Sequence, residues 1–429
     1  MRKKRIVILG AGISGLTAAW YFLQKNPDWE CAILEESKEP GGYIQTEEKK
    51  GEILEKGPHI FKSSRNQDFL QLVQELGFFH ELIGSDKKAT SRYVWSRRKL
   101  HKMPGLFLLS FCISLCKEMF VPIKKEDETI FEFGCRRFGK AITETLLDSL
   151  TLGVYGGDYR KLSVSACFPT LKKWEKEKGS VLLGAVSSLF NKKKQGIFLE
   201  HSLFSFRQGL FSFIQKIIEK MDASIFYEEK VVAVEKKGEF FSIKTERNVF
   251  FADKVIVALP AYVAGELLKP FSQKLSENLC DIRYQSIISV NVLFSKNVGL
   301  PCGFGYLIPQ KEQETILGCL FDSNIFPSQG SNSRLTLLVE GSTLDEDILH
   351  LVDRAIKGHL KIQEDPSDIS FKRMARAIPQ PALNHFEKIE VIRKNLPQEI
   401  YLVGNYLEGV SVNDCIRLAK KTAHSILTS

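Results

Sequence analysis

Arg5-Ile6-Val7-Ile8-Leu9-Gly10-Ala11-Gly12-Ile13-Ser14-Gly15 decides how the chain begins to fold. Ile6 to Leu9 is a continuous apolar run of the kind buried on both faces in a parallel sheet. Three glycines follow at once, and Leu16, Ala19, Trp20 and Leu23 then recur at helical spacing. The expected unit is strand, tight turn and helix, with Ala32 to Leu34 returning as a second strand that ends at Glu35. Gly10 permits the turn, Gly12 lets backbone approach a pyrophosphate, and Gly15 lets helix and strand pack closely. The N–H groups of the turn and of the helix start favour phosphate oxygens. Glu35 falls about 20 residues on, where a carboxylate hydrogen-bonds a ribose hydroxyl and disfavours a 2′-phosphate.

A dinucleotide site is therefore expected at Gly10, Ala11, Gly12, Ile13, Ser14, Gly15 and Glu35. Two further glycine turns follow, Gly41-Gly42-Tyr43-Ile44 and Gly57-Pro58-His59-Ile60. Glycines there let backbone run against an extended cofactor. A simple NAD domain needs neither turn, so FAD is the expected cofactor.

Working outward, 429 residues exceed one ordinary core, and two or three domains are expected. Hydrophobic residues at 44% and charged residues at 26% are a globular composition. The net charge of +9 suits an anionic ligand or an anionic membrane, or is simply a basic surface. Nucleic acid is disfavoured, because the run Lys192-Lys193-Lys194 has no interleaved aromatics. The nine cysteines include no CxxC pair, which argues against a metal site of zinc spacing and against a disulfide framework. The opening apolar run is too short for a signal peptide. No stretch reaches the ~18–20 apolar residues of a membrane-spanning helix.

Strand patterns at Val231 to Val234, Phe240 to Lys244, Lys254 to Leu259, Ser289 to Phe294, Leu335 to Val339 and Ile400 to Val403 alternate with helical stretches. Residues 86–200 are Lys- and Arg-rich and read as helical, with apolar runs at Leu106 to Cys116 and Val181 to Phe190. No linker separates these parts. The expected fold is α/β, a Rossmann-like FAD-binding domain interwoven with a mixed α+β substrate domain and a helical, membrane-associating segment. The boundaries are 1–85 with 201–265 and 385–429 for the first, 266–384 for the second and 86–200 for the third.

Together with the opening segment, Leu34-Glu35-Glu36, Gly41 to Thr46 and Leu54 to Phe61 resemble the amine-oxidase-like flavoprotein superfamily. Leu152-Gly153-Val154-Tyr155-Gly156-Gly157-Asp158, Leu162-Ser163, Cys167 to Leu171, Gly303 to Pro309 and Gly404 to Ile416 are similar to its protoporphyrinogen oxidase branch. The resemblance runs in family order from residue 6 to about 420. It implies flavin contacts at Gly42, Tyr43, Gly57, Pro58, His59, Ile60, Val231, Asn405, Val410, Ser411 and Val412, besides the first turn and Glu35. It also implies a porphyrinogen substrate held by Arg92, Phe304, Gly305, Leu307 and Leu338. On the residues alone Arg92, with Arg97 and Arg98 close by, reads first as a solvated surface arginine, and Phe304, Leu307 and Leu338 read as ordinary core; the resemblance is what makes them a site.

The reaction implied is removal of six electrons in three two-electron steps, in haem biosynthesis. The acceptor is oxygen, and no residue is identified as a general base. Arginine at 92 leans towards protoporphyrinogen, with two propionates, over coproporphyrinogen, with four. The implied partners are the porphyrinogen, a membrane surface and a ferrochelatase receiving the product. The implied location is cytoplasmic, peripheral on the inner face of the cell membrane. Cations flanking Leu106 to Cys116 fit an interfacial segment, and a buried core helix fits equally. Cys415 is read as structural. One departure from the family pattern stands at Ile378-Pro379-Gln380-Pro381 and Asn384-His385, where a tyrosine and a glycine are replaced.

Overall fold

The computed structural model describes residues 3–103, 117–190, 197 and 202–426. Its first strand, Arg5–Leu9, lies at the centre of a five-stranded parallel sheet. The spatial order is Ser224–Phe226, Glu30–Leu34, Arg5–Leu9, Lys254–Val257 and Ile400–Leu402. Ile6 and Ile8 bury against one face, while Val7 and Leu9 bury against the other. That explains the unbroken apolar run: a strand covered on both sides has no polar phase. The helix Ile13–Lys25 covers one face with Val412–Ser425, Gln67–Glu75 and Phe211–Glu219. Ala261–Leu268 and Gln273–Cys280 cover the other, beside an antiparallel meander of Val231–Lys237, Phe240–Thr245 and Val249–Ala252.

A second, seven-stranded sheet has the order Asp368–Pro379, Tyr284–Leu293, Arg334–Glu340, Ile316–Leu320, Gly305–Leu307, Arg92–Ser96 and Lys99–Lys102. Its pairs are antiparallel except Gly305–Leu307 with Arg92–Ser96, which is parallel. Period-2 alternation splits its side chains. Ile288, Val290, Val292, Leu335, Leu337, Val339, Cys319, Tyr306 and Trp95 form a core on one face, closed by the helix Ile348–Asp353. The opposite face looks towards the parallel sheet.

The expectation of a wholly helical 86–200 segment is corrected at its start. Arg92–Ser96 and Lys99–Lys102 form a hairpin of the large sheet. Its two-residue turn uses Arg97 at φ 52° and Arg98 at φ 60°, the left-handed conformation such hairpins need. Neither residue is the Gly or Asn that would have signalled the turn. Helices then run at Ile130–Phe138, Asp148–Tyr155, Pro169–Lys178 and Val181–Phe190. Leu106 to Cys116 and Lys192 to Lys194 lie outside the described residues. Among the described residues no helix is long and apolar enough to cross a membrane.

Buried charge fastens the helical segment to itself. Arg137, wholly buried, donates to Glu118 at 2.9 Å and to Glu175 at 2.6 Å. Glu118 also accepts from the backbone N–H of Val181 and so caps that helix. A second buried pair ties the hairpin of Thr46–Lys49 and Glu52–Glu55 to the seven-stranded sheet. Arg334 Nε stands 3.0 Å from Glu52 Oε2, an ion-pair distance without the alignment of a hydrogen bond. Its other nitrogens donate to the carbonyls of Ile53 and Phe326. Glu52 Oε1 accepts from the N–H groups of Ser331 and Asn332. Glu52→Gln would strip a buried guanidinium of its ion-pair partner, leaving it only the charge of Asp322, and a loss of about 3 kcal/mol is expected in urea unfolding. Lys49→Ala, at the exposed Lys49–Asp368 pair, is expected to leave the midpoint nearly unchanged.

Candidate active site

The three glycine turns expected from the sequence meet at the end of the first strand. Gly10 adopts φ 100° and its N–H donates to Leu34 O at 2.7 Å. A Cβ on Gly15 would stand 2.0 Å from Gly10 O, so only glycine lets the helix begin this close to the turn. Gly41 pairs with Gly12 as an isolated parallel bridge, and its N–H donates to Ala11 O at 2.8 Å. Gly57 lies against Tyr43, where a Cβ would come within 2.0 Å of the carbonyl. Turn packs on turn.

The donor set fits a dinucleotide. A Cβ on Gly12 would meet nothing within 4 Å, so the face of the turn is open beside the helix start. The helix N-terminus has no side-chain cap and no acid in its first turn, leaving N–H groups at Ile13 and Ser14 for phosphate oxygens. Glu35 is buried and accepts from the N–H groups of Ala11 at 2.8 Å and Ser37 at 3.0 Å, which fixes its carboxylate beside the turn. Val231 is brought to the same corner, since Glu229, two residues earlier, donates its N–H to Glu35 O at 2.8 Å. Asn405 follows the strand Ile400–Leu402, and Val410, Ser411 and Val412 lead into the last helix. Ser411 caps that helix at Asp414 N, and the helix packs on the first one.

Small clusters carry the candidate flavin end onto the second sheet. Tyr43 packs with Leu338, Ile287 and Met374. Ile60 packs with Phe304, Leu320 and Phe326. Val410 packs with Tyr155 and Ile378. Register places the expected substrate residues together: Gly305 pairs with Arg92 and with Leu320, Leu307 with Gly318, and Gly318 with Leu338. Arg92, Gly305, Leu307 and Leu338 thus share the face turned to the parallel sheet. The Arg92 guanidinium lies 4.8 Å over the Phe304 ring, and among the described residues no carboxylate pairs with it. Pro58 stands between Gly57 and His59 in the third turn.

The helix Asp148–Tyr155 roofs this face. Gly153 lies against Leu307, and Gly156, at φ 58°, lies against Ile287. Gln380, in the segment that departs from the family pattern, donates to Tyr155 O at 2.9 Å, while a Cβ on Gly157 would collide with its amide. The departure therefore leaves the roof tied to the sheet. Leu150 and Val154 flank Gly153 on the same helical face, 44% and 48% exposed. Sequence reading did not single out this apolar pair; the i, i+4 spacing was its signal.

His59 was expected as part of a backbone turn, and its side chain proves to be an inward anchor. Wholly enclosed, its Nδ1 meets Gly57 O at 2.9 Å and its Nε2 meets Asp322 Oδ1 at 2.9 Å. Both neighbours are acceptors, so only the doubly protonated ring satisfies both. Asp322 also accepts from Thr336, which in turn accepts from Asn291, whose amide reaches Glu55 O. Burial alone would lower the imidazole pKa, but the hydrogen bond and charge of Asp322, with the charge of Glu55, raise it to about 9. A raised pKa means the stabilisation is complete below the ordinary value near 6.5 and is lost as pH climbs through about 9. Thermal melts between pH 6 and 10 are expected to show that decline, and His59→Gln is expected to flatten it.

A parallel sheet, three stacked glycine turns and a second sheet facing them define a flavin-dependent oxidoreductase. The chain belongs to the flavin containing amine oxidoreductase family, whose model matches residues 13–427. It is an FAD-dependent enzyme of that family. It is 30% identical to protoporphyrinogen oxidase of Bos taurus over 474 aligned residues, covering 99% of this chain and 98% of the relative. It is 29% identical to coproporphyrinogen III oxidase of Bacillus subtilis (strain 168), over 99% of this chain and 98% of that one. A crystal structure from Exiguobacterium sp. 255-15 shares the fold with TM-score 0.88 over the whole of both chains, at 22% identity.

Proposed function

We propose that this enzyme oxidises protoporphyrinogen IX to protoporphyrin IX in haem biosynthesis. The observation that carries the reading is Arg92, a guanidinium with no acidic partner among the described residues, at one end of the face that also carries Gly305, Leu307 and Leu338. A flexible, mostly apolar macrocycle with two neighbouring propionates matches such a face, since Arg clamps a carboxylate and the hydrocarbon ring leaves water. Full-length relatives bearing that activity in their names support it.

In this reading Gly10, Ala11, Gly12, Ile13, Ser14 and Gly15 hold the diphosphate, with Glu35 and Val231 at the adenosine end. Gly42, Tyr43, Gly57, Pro58, His59, Ile60, Asn405, Val410, Ser411 and Val412 surround the ring end. Bound FAD supplies a two-electron acceptor, so a six-electron oxidation takes three turns of the same site, with oxygen as final acceptor. The protein's part is placement. Phe304, Gly305, Leu307, Leu338, Leu150 and Val154 exclude water and press one carbon edge of the macrocycle towards the Tyr43 side. Anaerobic mixing of the yellow protein with protoporphyrinogen is expected to bleach the flavin and, on admitting air, to give porphyrin fluorescence. Arg92→Ala is expected to raise KM at least about tenfold, the loss of one charge-assisted pair. A flavin that stays oxidised would refute the reading.

The product is poorly soluble, and delivery from a membrane surface on the cytoplasmic side to a ferrochelatase is part of the proposal. Met119, Phe120 and Ile123 stand out from the helical segment, Phe120 being 85% exposed, between Lys117 and Lys124-Lys125. The buried side chain of Glu118, fixed by Arg137, turns its neighbours outward. Apolar tips among cations suit an anionic interface. Co-sedimentation with anionic vesicles is expected to exceed that with neutral ones and to fall several-fold in Phe120→Ser. Equal, weak sedimentation with both would exclude it.

A further inference from the structure

We propose that Glu340 makes the active-site face selective for a tetrapyrrole whose carboxylates all lie at one end. The inference deepens the preceding one and rests on it. Glu340 is the last residue of the strand Arg334–Glu340 and pairs with Ile287 on the neighbouring strand. Ile287 belongs to the cluster of Tyr43, Leu338 and Met374, and it also touches the roof at Gly156. Opposite residues of an antiparallel pair share a face, as do residues two apart on one strand. Ile287 and Leu338 therefore both place Glu340 on the face that carries Arg92. Leu337 and Val339 point the other way into the core behind.

The two charges occupy opposite ends of that face. Register sets Arg92 level with Gly305, Leu320 and Thr336 across three strand spacings. Glu340 lies four residues beyond Thr336, so the two backbones are roughly 20 Å apart by ordinary strand spacing and rise. Leu307, Gly318 and Leu338 lie between them. Among the described residues neither charge has an ion pair with another side chain. Glu340 is an exposed residue at the end of its strand, and partial burial of its carboxyl raises its pKa from the ordinary value. A carboxylate kept at the edge of an apolar wall with no counter-charge repels another carboxylate brought against it.

A ring with two adjacent propionates can set both at the Arg92 end and present methyl and vinyl groups to Glu340. A ring with four propionates distributed around its rim must bring one against Glu340 in every orientation. The geometry thus separates the two activities that the names of full-length relatives carry.

The test compares protoporphyrinogen IX with coproporphyrinogen III as substrates of the FAD-loaded wild type, Glu340→Gln and Glu340→Gly. Dissociation constants of the planar products protoporphyrin and coproporphyrin, from porphyrin fluorescence, accompany the rates. Wild type is expected to favour the two-propionate ring in both measures. Each substitution is expected to raise kcat/KM for coproporphyrinogen, relative to protoporphyrinogen, by about tenfold, with coproporphyrin binding tightened in parallel. Flavin content and melting temperature establish that the variants fold, and the glycine variant serves if the glutamine one does not. An unchanged ratio in a folded variant, or wild type that takes both rings equally, overturns the role of Glu340 while leaving porphyrinogen oxidation standing. Failure of both rings to reduce the flavin of wild type overturns the earlier reading instead.

Discussion

The structure depends first on contacts of backbone with backbone. Gly15 meets the Gly10 carbonyl, Gly41 meets the Ile44 carbonyl and Gly57 meets the Tyr43 carbonyl, each at a separation that a side chain would fill, and Gly41 bridges to Gly12. These contacts place the uncapped start of the first helix, the buried carboxylate of Glu35 and the aromatic ring of Tyr43 within one corner. No single strong bond holds them. Close packing does, because every alternative arrangement would open a gap or force a clash.

The second constraint is the polar seam between residues 52–59 and the side of the seven-stranded sheet. Glu52–Arg334 and His59–Asp322 are both buried, and both reach from the segment after the second strand into the strand Arg334–Glu340 or its neighbours. Buried pairs of this kind add little net stability over apolar packing, yet they tolerate few geometries. Their value here is register. With Ile60 and Phe304 packed on one shared cluster and Tyr43 and Leu338 on another, they fix how far the candidate flavin end stands from the candidate substrate face. The roof helix completes the enclosure through three small residues, Gly153, Gly156 and Gly157, which let it approach without filling the space below.

Alternation in the seven-stranded sheet then divides labour. One set of side chains builds the core behind it; of the other set, Asn291, Thr336 and Arg334 tie the sheet to residues 52–59, and Arg92, Leu307 and Leu338 line the candidate substrate face. Phe304 lies against the Arg92 guanidinium, which holds the exposed cation at the wall. The same period puts Glu340 on the wall without asking anything of the core, so its identity is open to selection by ligand charge alone.

By itself the sequence determined the first strand, the glycine turns, the helix they start and the acid that follows, because all of these are local: spacing and residue type suffice. Cofactor class and the wide outline of the fold were legible for the same reason. Residues 92–102 were not, since Arg97-Arg98 is an unmarked hairpin turn and its strands are short and cationic. Arg92 could be named from resemblance, but its face, its aromatic support and its distance from Glu340 are products of strand pairing across more than two hundred residues. The inward anchoring of His59 likewise needed Asp322, 263 residues away at the start of the helix Asp322–Ile325. Chain neighbours set the turns; only long-range register decided which charges face one another.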